Sequence, residues 1–470
     1  MRKLILALST FKRKRGTCEP VDSISYTPAC GGQGACIQGA QTNDAPVKYL
    51  LKYVGADTII ALLTPEAKED GWAQFQEMVR GYCKEEGLLC PEFKAVEYSR
   101  ERDGRALHEL LEEVKPEDEI CLDTTGGFRD LSNLLLLVAR LAEFRGNRLC
   151  KAVYSDFQQF EIRDVTASQY GMLDVISGMG ECVAYGQTRQ LREQWGGIGE
   201  AKELLDAMQN ITDAVTLCKT HDLGSLYAVL NDKLKRTELP EDPDINLVLL
   251  EQMKRVFRRE FGDGRIDDVA VIRWCLENRM LQQAITLYVE RMPGWIMGEK
   301  KLLSVDPDFE RYAQQKKKEY QDVCEFIFTE YFLRLFGGWY KKYAREQKLE
   351  DWQGGAYRNG MTRENLNRWR FEGDAILDMK KWIDLPGSPF RHQRVRVAQL
   401  QRITKDYWYI KEQRNRYNHA LREPNKKNKE AVKQFFAGYQ WGESVTVEGL
   451  TKTITDALNY LEDCVKGIQT

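Results

Sequence analysis

The chain has 470 residues, 43% of them hydrophobic and 30% charged, with a formal net charge of -2. That length exceeds what one hydrophobic core organises, so two domains or three are expected. Near-neutrality excludes a uniformly basic nucleic-acid binder but leaves room for a local basic patch.

The opening MRKLILALST is too short an apolar run for a secretory core or a membrane span, and reads as a buried strand. No other stretch approaches a membrane span, so a cytoplasmic protein with no membrane partner is expected. Strand patterns follow at Lys3–Leu8, Thr58–Leu63, Phe93–Tyr98, Glu119–Asp123 and Ala152–Ser155, with helical patterns between them at Trp72–Glu86, Ala106–Val114 and Leu131–Phe144. Such alternation predicts a parallel sheet flanked by helices. Glu161–Val165 is expected to close an antiparallel edge hairpin.

Between the first strand and a helix near Pro46–Gly55 lies a long connection, Phe11–Ala45, which includes Lys12, Arg13, Lys14 and Arg15. Loops of that length in a compact domain are functional or disordered. This one leaves the carboxyl end of a strand, where open α/β sheets bind ligands.

Strand signals fade after Ala167. Gly171–Gly186 reads as a glycine-rich loop. Helices are predicted at Gly199–Lys219, Ser225–Lys235, Ile245–Phe261, Asp267–Arg279, Leu281–Arg291, Phe309–Gly337, Gln399–Leu421, Lys427–Gly438 and Val447–Gly467. The expected organisation is an α/β domain over residues 1–170, a helical linker over 171–240 and an all-α domain over 241–470. The 12 cysteines are irregularly spaced with no Cys-x-x-Cys pair. They read as reduced core thiols, and no metal site is expected.

Two clusters carry chemistry. In the segment Glu119–Arg129 a strand ends at Asp123, and a turn of Thr124, Thr125, Gly126 and Gly127 leads into a helix. Backbone N–H groups and the helix dipole then converge on one spot, which suits an anion. Gly126 and Gly127 permit close approach, the threonines offer hydroxyls, and Arg129 can fork onto a phosphate. Asp123 can orient the turn or a ribose hydroxyl. The plain alternative is an ordinary βα turn, since small residues suit any such junction. Neither a Walker A loop nor a dinucleotide-binding Gly pattern is present.

The second cluster is Gln413-Arg-Asn-Arg-Tyr-Asn-His-Ala420. On a helix, Arg414 and Asn418 are i,i+4 neighbours, as are Asn415 and His419. A fixed cation, two amides and an imidazole can cut RNA without a metal. The substrate's 2′-hydroxyl attacks its own phosphate, His419 moves a proton and Arg414 stabilises the phosphorane charge. Arg–His spacing alone is a weak signal. The surroundings strengthen it: Arg391–Lys427 is strongly basic, and Tyr407, Trp408, Tyr409 and Tyr417 interleave. Such aromatics can stack on unpaired bases, although helical periodicity assigns about half of them to the core.

Asp123, Thr125, Gly127 and Arg129 resemble the Asp-x-Thr-x-Gly-x-Arg signature of CARF domains, the Rossmann-like sensors associated with CRISPR systems. Arg414 to His419 resembles the Arg-x(4–6)-His motif of HEPN ribonucleases in its Arg-Asn form, and Leu281–Glu290 resembles a segment of the CARF–HEPN branch. The resemblance implies that Ser9, Thr10 and Phe11 supply the other half of the nucleotide pocket. It implies a homodimer activated by a cyclic oligoadenylate, of four or six adenylates, made by a type III CRISPR complex. It also implies an endoribonuclease acting on single-stranded RNA in antiviral defence, with Arg414, Asn415, Asn418 and His419 catalytic and no cofactor. Two alternatives stay open: a non-catalytic sensor that binds RNA or a partner protein, and a ring nuclease that degrades the cyclic ligand.

Overall fold

The computed structural model describes residues 1–14, 21–28, 36–99, 101, 103–127, 129–219, 221–235, 240–241, 243, 245–261, 266–316, 322–333, 390–392, 395–418, 436–440 and 444–467. The chain divides into two compact units, Met1–Ile176 and Ser177–Thr470.

The first unit is built on β1 (Arg2–Ala7), β2 (Ile24–Pro28), β3 (Ile37–Gly39), α1 (Asp44–Tyr53), β4 (Thr58–Leu63), α2 (Pro65–Asp70), α3 (Trp72–Glu86), β5 (Glu92–Glu97), α4 (Asp103–Glu113), β6 (Glu119–Asp123), α5 (Arg129–Phe144), β7 (Arg148–Asp156) and β8 (Glu161–Asp164). The eight strands form one sheet in the order β3-β2-β8-β7-β6-β1-β4-β5. The run from β7 to β5 is parallel, with registers such as Ile5↔Ile60 and Ile5↔Leu122.

The central strands are apolar along their length because both faces are covered. All of Thr58–Leu63 is buried, as are Leu4, Ile5, Leu6 and Ala7. Helices punctuate the connections by local chemistry. Thr64 Oγ1 accepts the Ala67 N–H at 3.2 Å to cap α2, whose first residue is Pro65. Gly87, at φ +68°, ends α3 in the left-handed conformation.

Two expectations are corrected here. The connection between β1 and α1 is not structureless: Ile24, Tyr26 and Ile37 bury apolar side chains and build β2 and β3. The β7–β8 pair is antiparallel, as expected, but β8 is not the edge. Thr27↔Glu161 and Pro28↔Ile162 add β2 in parallel, and β3 lies outside it.

A third correction concerns Gly171–Gly186. Met172–Tyr185 is helical (α6), preceded by a wider turn at Thr166–Gly171. Apolar residues at helical spacing, including Val175 and Cys182, outweigh the glycines. Gly178 lets Leu191 pack closely, since a Cβ there would sit 3.0 Å from the Leu191 side chain.

Helices dominate the second unit: α7 (Arg189–Trp195), α8 (Gly199–Thr216), α9 (Leu223–Lys233), α10 (Ile245–Glu260), α11 (Asp268–Glu277), α12 (Leu281–Gly294), α13 (Pro307–Lys316), α14 (Val323–Phe326), α15 (Val397–Asn418) and α16 (Val447–Lys466). A two-stranded ribbon of β9 (Leu303–Val305) and β10 (Phe390–His392) is the exception to an all-α reading. Tyr288, Phe328 and Tyr407 pack in its core, with the Phe328 and Tyr407 rings edge to face at 4.8 Å. Lys254 is buried against Glu200 and Glu251, so the ammonium is compensated. Most of the predicted helix Lys427–Gly438 lies outside the described residues. Among the described residues no helix is long and apolar enough to cross a membrane, and the cysteines are free thiols.

Candidate functional site

With the β2–β3 pair set aside as an insertion, the next parallel strand after β1 is β4 on one side of it and the next after β6 is β7 on the other, although β1 and β6 are neighbours. This reversal opens a crevice outside their carboxyl ends, where ligands bind in open α/β sheets. Ser9 and the Asp123–Gly127 turn meet there. The Gly127 N–H donates to Ser9 Oγ at 3.1 Å.

One residue that the sequence did not single out joins the two halves. Asn43 precedes α1. Its Nδ2 donates to Asp123 Oδ2 at 2.7 Å and to the Ala7 carbonyl at 3.2 Å, while its Oδ1 accepts the Ser9 N–H at 3.0 Å. Asp123 is fully buried, and its Oδ1 accepts the Thr125 N–H at 2.9 Å. Burial pushes its carboxyl up to about 6, against the opposing pull of the Thr125 and Asn43 hydrogen bonds. Asp123 therefore orients the turn from below.

The turn is tight. A Cβ on Gly126 would lie 2.3 Å from the Ala7 carbonyl oxygen, and Gly127 takes φ +81°. Several donors expected for a ligand are already engaged within the protein. The Thr125 and Gly127 N–H groups are used as described, and the Thr124 hydroxyl donates to the Val153 carbonyl at 3.0 Å. Thr125 Oγ1 accepts the Ser155 N–H at 2.8 Å, and its own hydroxyl is turned to the Asp123 carboxyl. Ser9 Oγ accepts from Gly127 and can still donate outward. Arg129 opens α5, whose N-terminus faces the turn; its side chain lies outside the described residues.

Thr10 and Phe11 follow Ser9 into a cavity of about 340 Å³, also lined by Gln41, Asn43 and Gln74. Among the described residues the cavity meets the turn through Ser9 and Asn43, and residues 123–127 do not line it. The basic run is mostly paired: Arg13 with Asp70 and Lys14 with Asp22. Lys12 lies against the Phe157 ring. Arg15 lies outside the described residues.

In the second unit, α15 runs unbroken through Arg414, Asn415 and Asn418. Arg414 is partly buried and approaches Glu290 Oε1, at the end of the Leu281–Glu290 segment, at 3.5 Å. Its Nε has no hydrogen-bond partner among the described residues. Asn415 is half-buried. The Asn418 side chain and His419 lie outside the described residues. Glu325 on α14, which the sequence also left unmarked, belongs to this charge cluster. Burial and the Glu290 charge push it up to about 7, while Lys411 and Arg414 pull it down. Tyr407, Trp408 and Tyr409 are core residues, and Tyr417 alone of the four aromatics is exposed. Base stacking by the first three is thereby excluded.

No family model matches the chain, and no curated protein sequence matches it. A solved structure does. The chain is similar to Enterococcus italicus Csm6 bound to cyclic hexa-2′-fluoro-hexa-dAMP, with 11% sequence identity and a TM-score of 0.37, over 100% of this chain and 99% of that one.

Proposed function

We propose that the chain is a cyclic-oligoadenylate-activated, metal-independent endoribonuclease of type III CRISPR defence, working as a homodimer. Residues 1–170 form the CARF-like sensor, 171–240 a helical linker, and 241–470 the HEPN-like effector. The observation that carries the reading is the turn Asp123–Gly127, locked to Ser9 by Asn43 at the point where the strand order reverses. The Ser9 hydroxyl and a helix N-terminus there suit a phosphate. A cyclic oligonucleotide of four or six units has two-fold symmetry, and an isologous dimer offers such a patch twice. The apolar stripe Leu137, Leu141 and Phe144 on α5, exposed at i, i+4, i+7, supports self-association through that helix.

In the effector, Arg414 supplies a guanidinium whose donors are not all engaged among the described residues, suited to the charge of a pentacoordinate phosphate. His419, which follows Asn418 in the sequence, takes the proton of the attacking 2′-hydroxyl and returns one to the leaving oxygen. The test is cleavage of single-stranded RNA with and without cyclic tetra- or hexa-adenylate, using His419→Ala as control. Ring-dependent cutting that disappears in the variant, a fall of at least about 100-fold, is expected. Equal cutting by the variant removes His419 from the mechanism.

A further inference from the structure

The turn joining β7 to β8 belongs to neither cluster. It reads Asp156-Phe-Gln-Gln-Phe160, and Asp156 Oδ1 accepts the backbone N–H groups of Gln158 at 2.9 Å and Gln159 at 3.1 Å. Two rings stand in water on this braced turn. Phe157 is 60% exposed and Phe160 is 44% exposed. Turns ordinarily carry small polar residues instead.

Phe160 also takes φ +53°. A bulky residue holds that conformation only where its surroundings impose it, and such strain concentrates at ligand clamps. Its carbonyl accepts the Thr27 N–H at 2.9 Å. Its ring meets Tyr26 and Phe157 edge to face, with centroids 6.3 Å and 6.0 Å away. The result is a pre-positioned ring at Phe157.

Its place ties it to the phosphate-facing turn. Ser155, two residues ahead of Phe157, donates its N–H to Thr125 Oγ1. On the other side, Lys12 Nζ lies 5.6 Å from the Phe157 centroid. Gln41 grips the Lys12 backbone from both sides, accepting its N–H at 2.6 Å and donating to its carbonyl at 3.0 Å. An aromatic face and an ammonium therefore flank the turn. Unpaired bases stack on such faces, and a neighbouring cation tracks the phosphate.

We infer that Phe157 is the stacking platform for a nucleobase of the ligand held at the Asp123–Gly127 turn. Lys12 leaves the ring face and pairs with a phosphate of the same ligand. Phe160 and Tyr26 are positioning residues that set the Phe157 ring. The inference rests on the reading of that turn as the nucleotide site.

Calorimetric titration of the full chain with cyclic tetra-adenylate and cyclic hexa-adenylate tests it, comparing wild type with Phe157→Ala, Phe157→Leu and Phe157→Tyr. The alanine and leucine variants are expected to bind the preferred ring at least about 10-fold more weakly, and the tyrosine variant to stay within about 3-fold. All should melt with the wild type, because the ring is exposed. Lys12→Gln should make the salt dependence of affinity shallower. Wild-type affinity in the leucine variant overturns stacking, and an unchanged salt slope overturns the role of Lys12. Failure of the wild-type protein to bind either ring overturns the nucleotide-site reading and this inference together.

Discussion

At Asp123 a single carboxyl couples the sheet to the site. Its folded-state value of about 6 lies above the unfolded carboxyl, near 3.9. Between those values the folded chain binds more proton than the unfolded one, so stability falls as pH rises. The contribution is complete below about pH 4 and gone above about pH 6, and amounts to about 3 kcal/mol at about 1.4 kcal/mol per unit. Urea denaturation across pH 4 to 7 should therefore show the wild type losing stability relative to Asp123→Asn as pH rises. Parallel curves would show that Asp123 does not titrate as a buried acid. The motif that holds Asp123, Thr125 and Gly127 is local, and its spacing could be read from the chain. Asn43 was not legible, because its partners Ala7 and Asp123 lie 36 and 80 residues away. Arg414 and Glu290 present the same difficulty at a separation of 124 residues.

For whole elements, legibility follows burial. The apolar runs of β1, β4 and β6 announce themselves because both faces are covered. The short β2 and β3 do not, since each has few buried side chains and draws its order from a partner far along the sequence. Glycines hid α6, because their cost in a helix is smaller than the gain from burying Val175 and Cys182. Where β6 passes into α5, close approach to β1 is the dominant constraint. Gly126→Ala would place a methyl 2.3 Å from the Ala7 oxygen and 2.4 Å from Asn43 Nδ2. The strand or the asparagine must move, at a cost of about 1–3 kcal/mol. Scanning calorimetry should record a lower melting temperature, and titration should record lost ring binding. A variant that melts and binds like the wild type would show that the two strands' ends are further apart.

At the level of the molecule, the α5 stripe carries the expectation of a dimer. Phe144 is 90% exposed, and Leu137 and Leu141 share its face. A contiguous apolar face of this kind is a liability unless something covers it. A charge at its centre, Leu141→Glu, should convert a dimer to a monomer in analytical ultracentrifugation. RNA cleavage should fall with it, because the effector is read as needing two copies. A variant that stays dimeric places the seam elsewhere.

The ribbon of β2 and β3 has a consequence during synthesis. β2 and β3 are translated early and can pair with each other, yet the strand that joins them to the sheet is β8, so the ribbon waits undocked until almost the whole first unit has emerged. Until the ribbon docks the sheet has no hem, and a newly made β8 margin can recruit a strand from a neighbouring nascent chain. Once docked, the outermost strand has only three residues, Ile37–Gly39, too short a selvedge to template another.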